Sequence, residues 1–369
     1  MSRKETLGKV ERVVIKIGTT SLMQGRKSIS IDFMNDVAEQ VKALKDEGKE
    51  VLIVTSGAIG VGLKTMGVKP NPNDIPIRQA AASVGQSILM LRWADSFQKQ
   101  GITVGQILMS LDNYSDRESA INLNNTINSL LDNGVVPIFN ENDAVCIKEI
   151  KFGDNDTLSA IVASRTDADL LVILSDVAGL YDSDPTKNPD AKLVPEVRDV
   201  DAVRSMAGDS STGLGTGGMK TKLDAAAICK DAGCSMIIAS SKEPEVIYRT
   251  VTGEDVGTIF VSDNEISKKR RWIKAAHASG KIIIDEGAER AVIGHKSLLP
   301  VGIKAVEGTF SKGEVVNIVC GDDVIAKGIS AYDSKELSSI AGKHTDELEA
   351  ILGRKDHKEA ILSENIVVL

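Results

Sequence analysis

The stretch Arg12-Val13-Val14-Ile15-Lys16-Ile17-Gly18-Thr19-Thr20 decides the fold class. Its first six residues are rich in β-branched side chains and read as a strand, which Gly18 and two threonines end in a turn. Apolar residues at consecutive positions mean a strand covered on both faces, as in a parallel sheet between two helix layers. Lys16 is the exception inside that run. An unpaired buried ammonium is costly, so Lys16 needs an anionic partner.

Outward from this strand the same unit recurs up to about residue 260. Strands are expected over 12–17, 50–55, 102–108, 135–140, 170–175 and 235–239, and helices over 31–47, 77–100, 116–133, 156–166 and 219–232. The alternation predicts an α/β fold, a doubly wound and mostly parallel sheet with helices on both faces. Such sheets bind ligands beyond the carboxyl ends of their strands, so the residues just after each strand are the candidate site.

Composition agrees with this class. Aromatic residues make up only 3% of the 369, so the core rests on aliphatic side chains. The net charge of −8 disfavours nonspecific binding of nucleic acid or an anionic membrane as the main task. Cys146, Cys229, Cys234 and Cys320 form no CxxC pair, and all four histidines lie at or beyond His277, which gives a Cys/His zinc site little support. The cysteines read as buried, reduced thiols. The charged N-terminus has no apolar signal segment, and no apolar run reaches about 18 residues, so a cytoplasmic location is expected.

The rhythm breaks after Ser262. Residues 1–262 form one expected domain and 263–280 a linker containing the basic run Lys268-Lys269-Arg270-Arg271, read as a solvated segment rather than a nucleic-acid contact. Residues 281–369 read as a small β-barrel-like domain, with short strands at 281–284, 291–293, 302–306, 314–319 and 324–326 between glycine-containing turns.

Four motifs carry chemistry, the first three at the ends of strands or just beyond them. Lys16-Ile17-Gly18-Thr19-Thr20 offers backbone N–H groups and hydroxyls to phosphate oxygens. Thr55-Ser56-Gly57-Ala58-Ile59-Gly60-Val61-Gly62 has small residues that either admit a ligand close to the backbone, ahead of a helix N-terminus, or serve tight helix–strand packing. Phe139-Asn140-Glu141-Asn142-Asp143 and Phe152-Gly153-Asp154-Asn155-Asp156 crowd amides and carboxylates together; some cap helices, and the rest can hold the ammonium of an amino acid, orient a lysine or help retain Mg²⁺.

In the fourth, Gly213, Gly215 and Gly218 match G-x-G-x-x-G by letter, but no strand precedes them, and a Walker A would need lysine where Met219 stands. What remains is a glycine loop that opens a helix bearing Lys220 and Lys222 in its first turn. Positive charge there opposes the helix dipole unless an anion sits between. A fifth stretch, Ser175-Asp176 through Pro185, suits either an adenosine lid or a surface Ω-loop.

No histidine precedes His277, so the half carrying these motifs has no histidine base. A carboxylate acceptor needs none, because glutamate's side chain is already ionised above a pKa of about 4.3. Two lysines without a base fit phosphoryl transfer to a carboxylate, driven by positioning and charge neutralisation.

The segments VVIKIGTTSL, TSGAIGVG, FNENDAV, FGDND, LSDVAGLYDSDP and GTGGMKTK together resemble the amino acid kinase family, over essentially the whole chain, and the C-terminal part resembles a PUA domain. The closest likeness is to the family's glutamate-phosphorylating members. That resemblance implies ATP and Mg²⁺, L-glutamate as acceptor, proline as feedback inhibitor and a homo-oligomer, dimer or tetramer. By motif, Lys16 and Lys222 would stabilise the moving phosphoryl group, with Asp156 organising both. Ser56, Asp143 and Asn155 would hold glutamate. Lys16, Gly18, Ser175, Asp176 and the run Thr216, Gly217, Gly218, Met219, Lys220, Thr221, Lys222 would line the nucleotide site. Thr19, Thr20 and Thr55 stand where serines are common, and keep the hydroxyls.

Other acceptors of the family (aspartate, acetylglutamate, carbamate, uridylate) share the phosphate-side motifs, whereas FNENDAV and FGDND point to glutamate. A primary RNA-binding role for the tail is opposed by its charge. Residues 281–369 hold 11 Lys and Arg against 15 Asp and Glu. A tail that aids oligomerisation fits better.

Overall fold

A computed structural model describes residues 3–25, 28–69, 71, 73–110, 117–145, 155–185, 187–206, 218–262, 269–270, 273–274, 276–354 and 357–369, with the backbone only for 117–121. The chain divides into two compact units, Met1–Asn264 and Glu265–Leu369.

The first unit is built on eight strands: β1 Arg12–Ile17, β2 Glu50–Thr55, β3 Val104–Met109, β4 Val136–Glu141, β5 Leu170–Ser175, β6 Glu196–Val197, β7 Ser235–Ser240 and β8 Thr258–Phe260. Their order across the sheet is β3-β4-β2-β1-β5-β7-β8-β6. Every pairing from β3 to β7 is parallel, so the expected class stands. The one antiparallel pairing among the described strands of this sheet is that of β8 with β7. Between them lies a helix of six residues, Val246–Val251. It rises about 9 Å, too little to carry the chain back along the roughly 20 Å of β7.

Helices α1 Arg3–Leu7, α2 Thr19–Met23, α3 Ile31–Asp46, α4 Ala58–Met66, α5 Ile75–Gln98, α6 Arg117–Asp132, α7 Asn155–Arg165, α8 Met219–Asp231 and α9 Val246–Val251 surround the sheet. Strand periodicity sorts them into two layers. Val13, Ile15 and Ile17 point into one core with Met34, Val41, Trp93, Phe97 and Ile247. Val14, Leu52 and Val54 point into the other with Leu158, Val162, Leu223 and Ala226. Lys16 shares the alternation of Val14, which directs it to the α7 and α8 side.

The helix starts differ in a way that matters for function. α3 and α5 are capped by side chains: Ser30 accepts from the Phe33 N–H and Asp74 from the Ile77 N–H. α2, α4 and α8 begin at Gly18, Gly57 and Gly218, none of which supplies a side-chain cap. Their first N–H groups are left for other acceptors.

α4 and α5 cross backbone to backbone. A Cβ on Gly62 would stand 1.7 Å from the Ala81 carbonyl oxygen, and one on Gly85 would stand 1.8 Å from that of Ala58. The stripe Ala58, Gly62 against Ala81, Gly85 sets this approach, and it holds the turn after β2 beside the middle of α5.

The second unit carries a five-stranded sheet: β9 Gly280–Ile284, β10 Ile303–Gly308, β11 Val315–Cys320, β12 Asp323–Ile329 and β13 Ile366–Val368, ordered β10-β9-β11-β12-β13. Its core gathers Ile282, Val316, Ile318, Ile325, Tyr332 and Leu337. One expected strand is corrected. Residues 291–293 end a helix, α10 Glu286–Ile293, in which Asp285 accepts from the Ala288 N–H and Glu286 and Glu289 lie in the first turn. Cap and dipole win there over the short β-branched run. Helices α11 Ser334–Ile340 and α12 Leu348–Leu352 were not expected.

Lys268 and Arg271 of the basic run lie outside the described residues, as does Cys146. Cys229, Cys234 and Cys320 are not joined in disulfides. Among the described residues no helix is long and apolar enough to cross a membrane.

Candidate active site

Three elements bring their ends together at the carboxyl edge of β1. The strand delivers Lys16, α7 begins with Asn155 and Asp156, and α8 carries Thr221 and Lys222 in its first turn. The Asp156 carboxylate lies between the two lysines, with Oδ1 at 2.5 Å from Lys16 Nζ and Oδ2 at 2.9 Å from Lys222 Nζ. Thr221 Oγ1 lies within donating distance of Asp156 Oδ2, at 3.2 Å, and of the Gly218 carbonyl, at 2.8 Å.

All three charged groups are nearly sealed off, with exposures of 7% for Lys16, 6% for Lys222 and 0% for Asp156. Burial pushes the Asp156 carboxyl up, but the charges of Lys16 and Lys222 and their hydrogen bonds outweigh it and hold the group well below the usual carboxylate range. One anion between two cations leaves a net positive charge. Removing the carboxylate from such a cluster would leave two buried ammonium groups facing each other.

The glycine-started helices add to this positive field. A Cβ on Gly18 would stand 3.5 Å from Lys16 Nζ, and one on Gly57 would stand 3.8 Å from Thr19 Oγ1. Gly57 sits at φ 100, a conformation that side chains rarely adopt. The turn after β1, the turn after β2 and the start of α8 thus combine uncapped N–H groups with two ammonium groups, the donor set an oxyanion or phosphoryl group requires.

Beside the lysines lies an amide cluster. Asn155 Nδ2 shares its two hydrogens among three acceptors, the Thr55 carbonyl at 2.5 Å, Ser56 Oγ at 2.9 Å and Asn140 Oδ1 at 3.0 Å. Asn140 Nδ2 donates to Gln86 Oε1 at 2.7 Å. Trp93 Nε1 donates to Thr55 Oγ1, which fixes the end of β2 from below. Asp143 lines a cavity of about 230 Å³ with Gln86, Glu141 and Asn142. A larger cavity, about 480 Å³, lies among Leu22, Met23, Ile29, Val61 and Ile88, with Lys64 and Arg92 also lining it; it includes neither Lys16 nor Lys222, so the buried charged cluster is the better candidate.

Lys16, Thr221 and Lys222 thus meet at Asp156, and Ser56 and Asn155 bond to each other beside them. Gly18 and Gly218 lie at the adjoining helix starts. Ser175 ends β5, the neighbour of β1, and its Oγ lies 3.2 Å from Asp176 Oδ1. Met219 and the exposed Lys220 open α8. Thr216 and Gly217 lie outside the described residues, as do Phe152, Gly153 and Asp154. Gln86 was not among the expected site residues. A glycine in the small-residue run Ala80-Ala81-Ala82-Ser83-Val84-Gly85 was its only signal in the sequence, since such a run marks a close crossing.

The model of the amino acid kinase family matches residues 11–240, and that of the PUA domain matches residues 280–352. Two archaeal proteins, each named glutamate 5-kinase, are 49% identical to this chain over 378 residues. That from Methanosarcina barkeri is covered to 99% and that from Methanosarcina mazei to 98%, with 100% of this chain in both cases. A bacterial glutamate 5-kinase, from Shewanella amazonensis, is 46% identical over 363 residues, covering 97% of this chain and 96% of that protein.

Proposed function

This chain belongs to the amino acid kinase family, as an ATP-using phosphotransferase with a PUA domain, and from that premise we propose that its acceptor is L-glutamate. The reaction is transfer of the γ-phosphoryl group of ATP to the 5-carboxylate, giving L-glutamyl 5-phosphate and ADP, the first step towards proline. The observation that carries phosphoryl transfer is the Lys16–Asp156–Lys222 cluster, buried and net positive, and the likeness to proteins named glutamate 5-kinase supports glutamate as the acceptor.

A carboxylate oxygen of glutamate attacks the γ-phosphorus while the bond to the ADP oxygen breaks. No proton has to be removed from this acceptor, so no general base is required. Charge spreads over the equatorial oxygens of the transferring group and onto the leaving oxygen. Lys16 and Lys222 donate to that charge. Asp156 stays ionised throughout and fixes where both ammonium groups point, so their alignment precedes the reaction.

Ser56, Asn155 and Asp143 hold the amino acid. Gly18, Ser175, Asp176 and the segment from Thr216 to Lys222 hold the nucleotide. The nucleotide would enter as its Mg²⁺ complex, the metal neutralising phosphate charge. Both Asp156 oxygens face ammonium groups, and the described residues contain no cluster of three metal-ligating side chains. This donor set suits a magnesium ion carried mainly by phosphate oxygens and water.

Glutamate-dependent ADP release in the presence of hydroxylamine tests the acceptor. A hydroxamate formed in step with ADP is the expected result. ADP without hydroxamate, or turnover with aspartate and not glutamate, would assign another acceptor. Proline is proposed to compete at the same amide and carboxylate cluster. Inhibition that is noncompetitive with glutamate and unchanged in a folded Asn155→Ala enzyme would remove that proposal.

A further inference from the structure

We propose that Gln86 is a positioning residue for the amino-acid site, acting through Asn140 and Asn155 on Ser56. The inference rests on the reading of Ser56 and Asn155 as substrate-holding groups. An amide side chain has a donor end and an acceptor end, and which end faces a neighbour is decided by the network it joins. One member of this network cannot be reversed. The Thr55 backbone carbonyl only accepts, so Asn155 must turn its Nδ2 towards it.

The rest follows in order. With Nδ2 turned inward, Asn155 needs an acceptor from Asn140, which presents Oδ1 at 3.0 Å. Asn140 then turns its own Nδ2 to Gln86, which presents Oε1 at 2.7 Å. Ser56 Oγ lies 2.9 Å from the same Nδ2, an amide nitrogen that accepts no hydrogen bond, so the hydroxyl hydrogen is directed elsewhere. The outcome is a pair of groups of opposite character, a Ser56 O–H that donates and an Asn155 Oδ1 that accepts. An amino acid carries the matching pair, a carboxylate and an ammonium.

Gln86 closes this chain at a visible expense. It is only 9% exposed, and its Nε2 has no hydrogen-bond partner among the described residues. Burying an amide with one end unused costs stability, and a methionine of similar volume would avoid it. The acceptor end is therefore the part in use. α5 can bring Gln86 there because Gly85, its neighbour in sequence, lets the helix touch the backbone of α4 at Ala58.

Two variants separate the possibilities in the full-length enzyme. Gln86→Met removes the acceptor, and the KM for glutamate should rise about tenfold, the equivalent of one lost hydrogen bond. The KM for ATP should stay within about twofold. Gln86→Glu keeps an acceptor oxygen towards Asn140 and should recover most of the glutamate KM.

A Gln86→Met enzyme with an unchanged glutamate KM would overturn the proposal. So would equal loss in Gln86→Met and Gln86→Glu, since Nε2 would then be the working end. A fall in melting temperature without a split between the two KM values would mark Gln86 as structural only, and would also overturn it. Should Gln86→Met not fold, Asn140→Leu cuts the same link from its other side and is read by the same split. If the wild-type enzyme uses a different amino acid, the split is read in that KM. The glutamate assignment then falls while the positioning role is still tested.

Discussion

Replacing Lys222 with alanine is expected to lower kcat about a thousandfold, while glutamate affinity stays near that of the wild type. The side chain is 6% exposed and ends 2.9 Å from Asp156 Oδ2, in the first turn of a helix whose dipole disfavours it. In the proposed reaction its stabilising partner is the charge that develops on the phosphoryl oxygens. That charge is larger in the transition state than in bound ATP, so the loss belongs in kcat. The amide cluster of Ser56, Asn155, Asn140 and Gln86 does not include Lys222 and keeps its contacts. Single-turnover kinetics and glutamate binding by calorimetry check the two halves. Near-normal turnover would refute the assignment.

The Asp156 carboxylate supplies a pH test of the same cluster. Its acidity is enhanced in the folded protein, so its contribution to stability is fully present above the unfolded value of about 3.9 and is lost only as pH falls through the lower folded value. The stability gap between wild type and Asp156→Asn should therefore be constant from neutral pH down to about 5 and narrow below about 4. The acid limb of the kcat profile above about pH 5 should not be that of Asp156. Denaturant unfolding at a series of pH values measures the gap, and one that narrows already near neutrality would contradict the ion pairing.

The largest effect on stability is expected at the α4–α5 crossing. Gly85→Ala places a Cβ 1.8 Å from the Ala58 carbonyl oxygen and 2.6 Å from the Gly62 nitrogen. Both neighbours are backbone, so nothing can rotate away and the helices must separate. A loss of about 3 kcal/mol or more is expected, the upper range for overpacking. Gly62→Ala meets the Ala81 carbonyl at 1.7 Å and should cost a similar amount. The double variant should cost less than the sum, because helices already forced apart by one methyl accommodate the second.

Gly60→Ala is the control. It lies in the same helix with nothing within 4 Å of the added carbon, and should be neutral or stabilising by up to about 1 kcal/mol. Thermal and denaturant unfolding of the four variants decides the matter. A Gly85→Ala protein as stable as Gly60→Ala would show that the crossing is looser than the geometry requires.

Much of the first unit was legible because its signals are local. The β-branched runs at 12–17, 50–55 and 170–175 became strands with those same bounds, since a strand buried on both faces has few other readings. Capped and periodic helices fell within a few residues of expectation. The segment 291–293 failed because three β-branched and small residues do not outweigh an aspartate cap six residues earlier, at Asp285. β8 was not among the expected strands, and its antiparallel direction depends on the length of the return path.

For the site, the sequence alone determined that Lys16 sits in an apolar strand and needs an anion, that Lys222 opens a helix against its dipole, and that glycine turns follow the strands. Those facts depend on neighbours in the chain. Only the tertiary structure decided that one carboxylate, Asp156, meets both lysines at 2.5 and 2.9 Å. It alone decided that Gln86 closes an amide chain ending at Ser56, and that Gly62 and Gly85 face backbone rather than space. The physical reason is the range of the interactions. Propensity, capping and burial periodicity act over a few residues, whereas ion pairing, amide polarity and helix crossing are settled only where distant segments meet.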